Sequence, residues 1–189
     1  MSSIVLRSPS EPNPSIAAPK LDWLEGTWNV THSTLPMWKK NRNVQITYTR
    51  IPGTSPPHID DLVTYQSLSS DSKKTVRGVD KPFPVLGGSV SETEASLGYH
   101  WRGKGWLVIA SSKWEILGYG IEEGSSTEWA VTFFAKTLFT PTGVDIYSRN
   151  GFLREDTLSQ IKEALTGLEG DIAGLSKDVF AVRTDGLTD

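Results

Sequence analysis

Cysteine is absent from this chain of 189 residues. Disulfide bridges, thiolate metal ligands and a cysteine nucleophile are therefore excluded. Histidine is scarce as well, since the only three histidines are His32, His58 and His100, which stand far apart and match no metal-binding motif. The sequence predicts neither a metal site nor a cofactor.

Long runs of one residue class are also missing. No run of Lys or Arg exceeds two residues and the formal net charge is −3, so the basic face that nucleic-acid binding requires is not predicted. No apolar stretch approaches the roughly 20 residues of a membrane-spanning helix. Residues 1–18 contain three prolines, one basic residue and no apolar run of signal-peptide length. They predict a flexible tail and a cytoplasmic protein.

Motifs of common enzyme classes are missing too. The sequence contains no Gly-x-Ser-x-Gly elbow, no Walker loop, no dinucleotide fingerprint and no His-Glu-x-x-His. Catalysis that needs only a shaped cavity and one acid or base leaves no such motif.

Aromatic and β-branched residues dominate what is present. Seven Trp, five Tyr and six Phe are a heavy aromatic load for this length. Eight segments rich in Val, Ile, Thr, Tyr and Trp are separated by Gly, Pro, Asp and Ser, which is typical of an all-β barrel or sandwich. These predicted strands are 27–33, 43–51, 61–68, 74–79, 95–102, 106–120, 128–137 and 144–149.

One convincing helix follows the last of these strands. Residues 156–168 carry Leu158, Ile161, Leu165 and Leu168 on one stripe, which a helix can bury only against the outside of the sheet. Residues 179–182 then form a possible extra edge strand. We expect one domain over residues 19–189.

Two landmarks carry a family resemblance. Gly26-Thr27-Trp28 opens the first strand as a Gly-x-Trp motif, and Arg149 ends the last strand before the helix. This order resembles the lipocalin (calycin) family over roughly residues 20–182. The resemblance implies a single antiparallel barrel of eight to ten strands, with one C-terminal α-helix packed outside. In that family the arginine packs across the tryptophan ring and, with the Gly26 turn, closes the base of the barrel.

The chain departs from the family in one motif. The Thr-Asp-Tyr-like turn late in the barrel is absent, and Ser112-Lys113-Trp114 is its nearest counterpart. The chain is therefore more similar to intracellular calycin barrels than to secreted lipocalins. If Trp28 and Arg149 share the base, eight strands fit the ring, with a bulge near Ser111 and Ser112.

The open end of the barrel is predicted to carry residues 35–40. Met37 and Trp38 in this loop form either a lid over a ligand or a loop packed on the rim. Side chains alternate between the two faces of a strand, but the sequence does not show which face of the fifth and seventh strands points inward. On the fifth strand the inward residues are either Tyr99 with Trp101 or their neighbours. On the seventh strand the inward residue is either Phe133 or Phe134. The predicted ligand-binding residues are Val30, His32, Met37, Trp38, Ile46, Tyr48, Tyr99, Trp101 and Phe133.

The resemblance implies three possible functions. The first is binding of a small hydrophobic molecule, a lipid or a secondary metabolite, by a monomer or homodimer. The second is a cofactor-independent cyclase, isomerase or dehydratase, because the chain is similar to calycin-like proteins of microbial natural-product pathways; His32, Tyr48 and His100 are the acid/base candidates. The third is haem binding by His100, as in barrels that resemble nitrobindin.

Overall fold

A computed structural model describes residues 3–85, 89–105 and 109–186. Residues Leu21–Leu24 form helix α1, Glu155–Thr166 form α2 and Asp171–Leu175 form α3. Residues Pro36–Lys40 and Ser176–Asp178 form 3₁₀ helices. The strands are β1 (Gly26–Ser33), β2 (Asn41–Arg50), β3 (Ile59–Ser67), β4 (Lys73–Phe83), β5 (Gly98–Gly103), β6 (Ser111–Ile121), β7 (Glu128–Phe134), β8 (Gly143–Ser148) and β9 (Phe180–Ala181).

The first eight strands close into an antiparallel barrel. Each strand from β2 to β7 pairs with the next one along the chain, and β1 pairs with both β2 and β8. The closing pairs include Gly26 opposite Tyr48 and Val30 opposite Tyr147. Strand β9 adds to the upper part of β1, with Phe180 opposite Ser33. The predicted lipocalin-like fold class is confirmed.

The bulge of β6 lies elsewhere than predicted. Ser111 and Ser112 are the first residues of β6 and pair regularly with β5. The register shift instead lies between Ile116 and Gly118. Strand β6 begins at Ser111 and is therefore shorter than the predicted strand 106–120. A bulge at Ser111 and Ser112 is not needed to fit eight strands into the ring. The first part of the long predicted strand, residues 106–108, lies outside the described residues.

Helix α2 covers one outer wall of the barrel, as its apolar stripe predicts. Leu158, Ile161 and Leu165 are buried. They belong to an outer cluster whose sheet members include Leu117, Val131, Val144 and Ile146. Burying such a stripe is what stabilises a helix of this length, because its intrinsic stability in water is marginal. No helix in the part of the chain that the structure describes has the length and apolarity to cross a bilayer.

The N-terminal segment packs against the barrel more closely than its composition suggests. Leu6 and Arg7 are buried, and the Arg7 guanidinium lies 2.7 Å from the Glu115 carboxylate and donates to the Ile116 carbonyl at 2.8 Å. Glu115 lies on the outer face of β6 and is itself buried, so it requires a cation. Leu6 and Arg7 of the predicted tail therefore lie against β6.

Candidate binding site inside the barrel

A stack of aromatic rings lies in the middle of the barrel. The Trp114 indole lies between the rings of Tyr48 and Tyr99, with centroids 5.5 Å and 4.8 Å away and nearly parallel planes. Phe134 continues the stack at 6.5 Å. These rings come from β2, β5, β6 and β7, because inward positions alternate along each strand. They form part of an inner cluster, separate from the outer cluster under α2.

Two carboxyl groups lie beside this stack. Asp61 on β3 and Asp80 on β4 are buried, and they share the inner face with Ile59, which pairs with Asp80 across the two strands. The Trp114 indole N–H donates to Asp80 Oδ1 at 2.8 Å. Within the part of the chain that the structure describes, Asp80 Oδ2 and Asp61 Oδ1 have no hydrogen-bond partner.

Burial controls the protonation of these carboxyls. Desolvation raises the pKa of Asp61 to about 7, and the Asp60 charge adds to the rise. The pKa of Asp80 is raised well above its ordinary value, first by burial and then by the neighbouring Asp61. Burial therefore disfavours the charged form of both groups, because an unpaired charge in an apolar interior is costly.

Two phenols extend the polar cluster across the barrel. Tyr48 and Tyr147 are completely buried. Burial raises the pKa of each well above the ordinary value for tyrosine, and the Asp61 charge adds to both shifts. The Tyr147 hydroxyl lies beside the side chains of Tyr48 and Thr132, but no hydrogen bond of ordinary geometry joins it to a described residue. Asp61, Asp80, Tyr48 and Tyr147 are called the acid–phenol cluster below.

A third buried carboxyl lies nearer the open end. Ser33 Oγ donates to Asp145 Oδ1 at 2.5 Å, and the Trp38 indole N–H donates to Asp145 Oδ2 at 3.4 Å. Burial raises the pKa of Asp145 to about 7, although both hydrogen bonds oppose the rise. Trp38 also meets Tyr65 edge-on at 5.6 Å. The 3₁₀ helix therefore places Trp38 in the mouth, while Met37 beside it points outward and is 44% exposed.

The base of the barrel is closed by Trp28 and Arg149. The Arg149 guanidinium lies 3.6 Å from the Trp28 ring centroid. It also donates to the carbonyls of Trp23, Glu25 and Thr27. The Trp28 indole N–H donates to the Leu24 carbonyl at 2.9 Å. This end offers no entrance, so access to the interior runs through the opposite end.

Several sequence-predicted site residues lie together inside the barrel. The fifth strand turns Tyr99 and Trp101 inward, and the seventh turns Phe134 inward, which settles the two alternatives left by alternation. The predicted ligand-binding residues that belong to or pack against the inner cluster are Val30, Trp38, Ile46, Tyr48, Tyr99 and Trp101.

His32 lies on the outer face. Strict alternation from Trp28 and Val30 places it inside, but the β1–β8 register shifts between Val30 and His32. His32 therefore pairs with Ile146 of the outer cluster, and Ser33 takes the inward position beside Asp145. Burial and the charge of Lys162 on α2 lower the pKa of His32 to about 4.

Two further predicted residues also point away from the interior. His100 is exposed, with its ring 4.7 Å from Phe83 on the outer wall, so it does not face an iron held inside the barrel. Phe133 packs against the outer cluster. Both follow from the inward orientation of the neighbouring Tyr99 and Phe134, because adjacent residues of a strand face opposite sides.

Two surface clefts lie outside the interior. The larger, of about 790 Å³, runs between the N-terminal segment, the β6–β7 wall and α2. The smaller, of about 460 Å³, lies at the mouth beside Trp101 and is bordered by Lys81, His100, Lys113 and Lys136. Neither contains the acid–phenol cluster. Among the described residues, no three His, Asp or Glu side chains are placed to hold a metal ion.

Sequence reasoning missed the acidic residues of the site. Asp61 carries a readable signal, because it alternates with Ile59, Val63 and Tyr65 on one face of β3. A carboxyl group on an otherwise apolar face indicates a buried polar site. Asp145 carries no such signal, because its strand is buried on both faces. The other missed residues are Asp80, Trp114 and Tyr147.

Comparison with known proteins supports the class of fold. No protein-family model matches the chain, and no curated protein matches it significantly by sequence. Among solved structures it is similar to H1 crustacyanin from the lobster Homarus americanus (TM-score 0.58, 12% identity, 98% of this chain and 91% of that chain covered). It is also similar to apocrustacyanin C1 (0.57, 13%, 86% and 78%) and to the siderocalin Ex-FABP (0.54, 11%, 87% and 96%). The protein therefore has a lipocalin-like fold.

Proposed function

We propose that this protein binds a small, largely apolar molecule, such as a lipid or a secondary metabolite, inside the barrel. In this proposal the aromatic stack contacts the apolar part of the molecule, and the acid–phenol cluster binds a polar group on it. The observation that carries the proposal is the presence of three unpartnered buried atoms on the inner face of the barrel: Asp61 Oδ1, Asp80 Oδ2 and the Tyr147 hydroxyl.

Leaving those three atoms without a partner costs free energy. A buried polar group without a hydrogen-bond partner costs about 1–3 kcal/mol, and native interiors avoid such groups unless water or a ligand meets them. Neutral carboxyls and phenols both donate and accept, so the cluster suits a hydroxyl, carbonyl or amine. The similar barrel of Ex-FABP, which functions through dual ligand specificities, supports a binding role for a barrel of this type.

Entry requires a movement at the mouth. Trp38 fills this end, where its indole donates to Asp145 and its ring meets Tyr65. It stands on a 3₁₀ helix of five residues, and such short segments have poorer hydrogen-bond geometry than α-helices. We propose that the segment Pro36–Lys40 acts as a lid, and that Trp38 leaves the mouth when a ligand enters.

Binding can be tested with the molecule that accompanies the purified protein. That molecule would be extracted with organic solvent, identified by mass spectrometry and added back while tryptophan fluorescence is recorded. Asp61→Asn should raise the Kd for this molecule about tenfold, because the amide cannot make the same hydrogen bonds to the ligand as the carboxyl group. Asp60→Asn is the matched control, because Asp60 lies on the opposite face and pairs with Lys104 at 2.5 Å. An equal effect of both changes would contradict the proposed site.

The enzymatic alternative has its own supporting observation. A carboxyl whose pKa is about 7, as burial makes that of Asp61, suits general acid–base catalysis at neutral pH. Beside it, the Tyr48 and Trp114 rings could hold a reactive chain in a fixed conformation. In this alternative Asp61 acts as the acid and Tyr48 or Tyr147 orients the substrate. His32 and His100 are unsuited to act in the interior, because both lie outside it.

Turnover separates the two functions. The extracted molecule would be incubated with protein from which it has been removed, and analysed by mass spectrometry. A product that forms with the wild type and with Asp60→Asn, but not with Asp61→Asn, would establish catalysis. An unchanged molecule would leave the binding function and contradict catalysis on that compound.

A further inference from the structure

The four loops at the mouth carry an unusual set of exposed apolar side chains. The mouth is the end opposite the Arg149 base, where β1–β2, β3–β4, β5–β6 and β7–β8 are joined. Eight large apolar residues are exposed in the part of the chain that the structure describes, and five of them belong to these loops. The five are Met37 (44%), Leu68 (47%), Ile109 (80%), Leu138 (95%) and Phe139 (73%).

Each of the four mouth loops contributes at least one of these residues. Single exposed apolar residues scattered over a surface need no explanation, but a set at one end of a molecule marks an interaction site. The three connections at the base, described over residues 51–58, 84–85, 89–97 and 122–127, contain none of the eight. Ile121 and Phe152 are exposed next to the base, so among the described residues the mouth exposes five large apolar residues and the base two.

Charge has the same axial asymmetry. The described residues of the mouth loops, 34–40, 68–72, 104–105, 109–110 and 135–142, contain four lysines and one acidic residue, Asp71. Asp71 forms an ion pair with Arg42, and so does Asp185 near the same end. The three base loops contain four glutamates and no Lys or Arg. Within these loops the mouth therefore carries a net positive charge and the base a net negative charge.

We infer that the mouth of the barrel docks onto the surface of an anionic lipid bilayer. Apolar tips that enter the interface and lysines that attract acidic headgroups are the two elements of such binding. The apolar tips stand on four separate loops around a ring, which suits several shallow insertions better than one continuous protein interface. The 3₁₀ helix shows the combination locally, since Met37 is exposed beside Lys39 and Lys40.

Docking in this orientation would also place the entrance of the barrel against the bilayer. The Trp38 segment would then face lipid, and an apolar ligand could enter or leave without crossing water. The inference does not rest on the proposed function, because ligand-free protein should bind vesicles by the same loops.

The test is co-sedimentation with phosphatidylcholine vesicles prepared with and without phosphatidylserine. Wild-type protein should bind the phosphatidylserine vesicles, and added salt should weaken the binding. The double variant Leu138→Ser with Phe139→Ser should bind about tenfold more weakly, because two exposed apolar side chains no longer enter the interface. Its matched control is Ile121→Ser with Phe152→Ser, two residues that are 61% and 49% exposed away from the mouth loops. This control should bind as the wild type does.

A second pair of variants tests the charge. Lys136→Glu should weaken binding to phosphatidylserine vesicles about fivefold, while Glu123→Lys at the base should not weaken it. Unchanged melting temperatures would show that the variants fold. If the wild type stays in the supernatant with phosphatidylserine vesicles, the inference is overturned. The exposed apolar loops would then indicate a protein-binding surface instead. An equal loss with the mouth and control variants would overturn it as well.

Discussion

Replacing Asp61 by asparagine should change how the stability of the ligand-free protein depends on pH. Burial raises the pKa of Asp61 from 3.8 to about 7 in the folded state. The folded protein therefore holds a proton that the unfolded chain has lost between these pH values, so the free energy of unfolding falls as pH rises through this window. Three pKa units correspond to about 4 kcal/mol for this group.

The expected melting temperatures follow from that figure. At pH 4 the neutral Asp61 and an asparagine are nearly equivalent, so the wild type and Asp61→Asn should melt at similar temperatures. At pH 8 the variant lacks the buried charge and should melt about 10 °C higher, since 1 kcal/mol shifts the melting temperature of a domain this size by about 2–4 °C. Differential scanning calorimetry over this pH range measures both.

The neighbouring carboxyl group of Asp60 provides the control. Asp60→Asn removes an outer-face carboxylate whose ion pairs with Lys104 and Arg77 are partly exposed, so it should cost less than about 1 kcal/mol. It should keep most of the pH dependence, because burial, the larger cause of the raised pKa of Asp61, is unchanged. Parallel pH profiles for the wild type and Asp61→Asn would show that Asp61 is charged or solvated in the folded protein, and the account of the acid–phenol cluster would fail.

Three further predictions concern the base, the tail and His32. Arg149→Ala should lower the melting temperature by about 10 °C, because it removes the contact with Trp28 and several hydrogen bonds from a charged donor; Arg149→Lys should be intermediate, and native-like stability of Arg149→Ala would contradict the role of this residue. A Cβ added at Gly118 would lie 2.5 Å from Leu6 Cδ2, so Gly118→Val should displace the N-terminal segment and let trypsin cleave after the otherwise buried Arg7; equal protection in both proteins would contradict this packing. Because the pKa of His32 is lowered to about 4, its imidazole NMR signals should not titrate between pH 6 and 8, and a midpoint in that range would place His32 in solvent.

The fold was largely predictable from local patterns. The Gly26-x-Trp28 motif, the alternating strands and the leucine stripe of α2 are each local sequence patterns. All three indicate the same fold, an antiparallel barrel with one helix outside it. Arg149 could be paired with Trp28 because an even number of strands returns the chain to the base. The number and direction of the strands were enough to place both residues at the base.

The direction of individual side chains was harder to predict. One register shift between Val30 and His32 exchanges the two faces of the upper part of β1, and no residue type in that stretch announces it. On β5 and β7 both faces carry aromatic residues, so composition could not separate Tyr99 from His100 or Phe134 from Phe133. The side chains that donate hydrogen bonds to Asp80 and Asp145 lie far away in the sequence. Local sequence patterns therefore could not predict those contacts.

The central claim is that a small, largely apolar molecule is held in the barrel by the acid–phenol cluster. Native mass spectrometry of the purified protein tests it most directly. The wild type and Asp60→Asn should carry the mass of one small molecule per chain, and a variant with Asp61→Leu and Tyr147→Phe should have lost most of it. A wild-type chain that carries no added mass, even after incubation with extracts of its natural host, would contradict the claim. Equal loading of the wild type and the double variant would contradict it too.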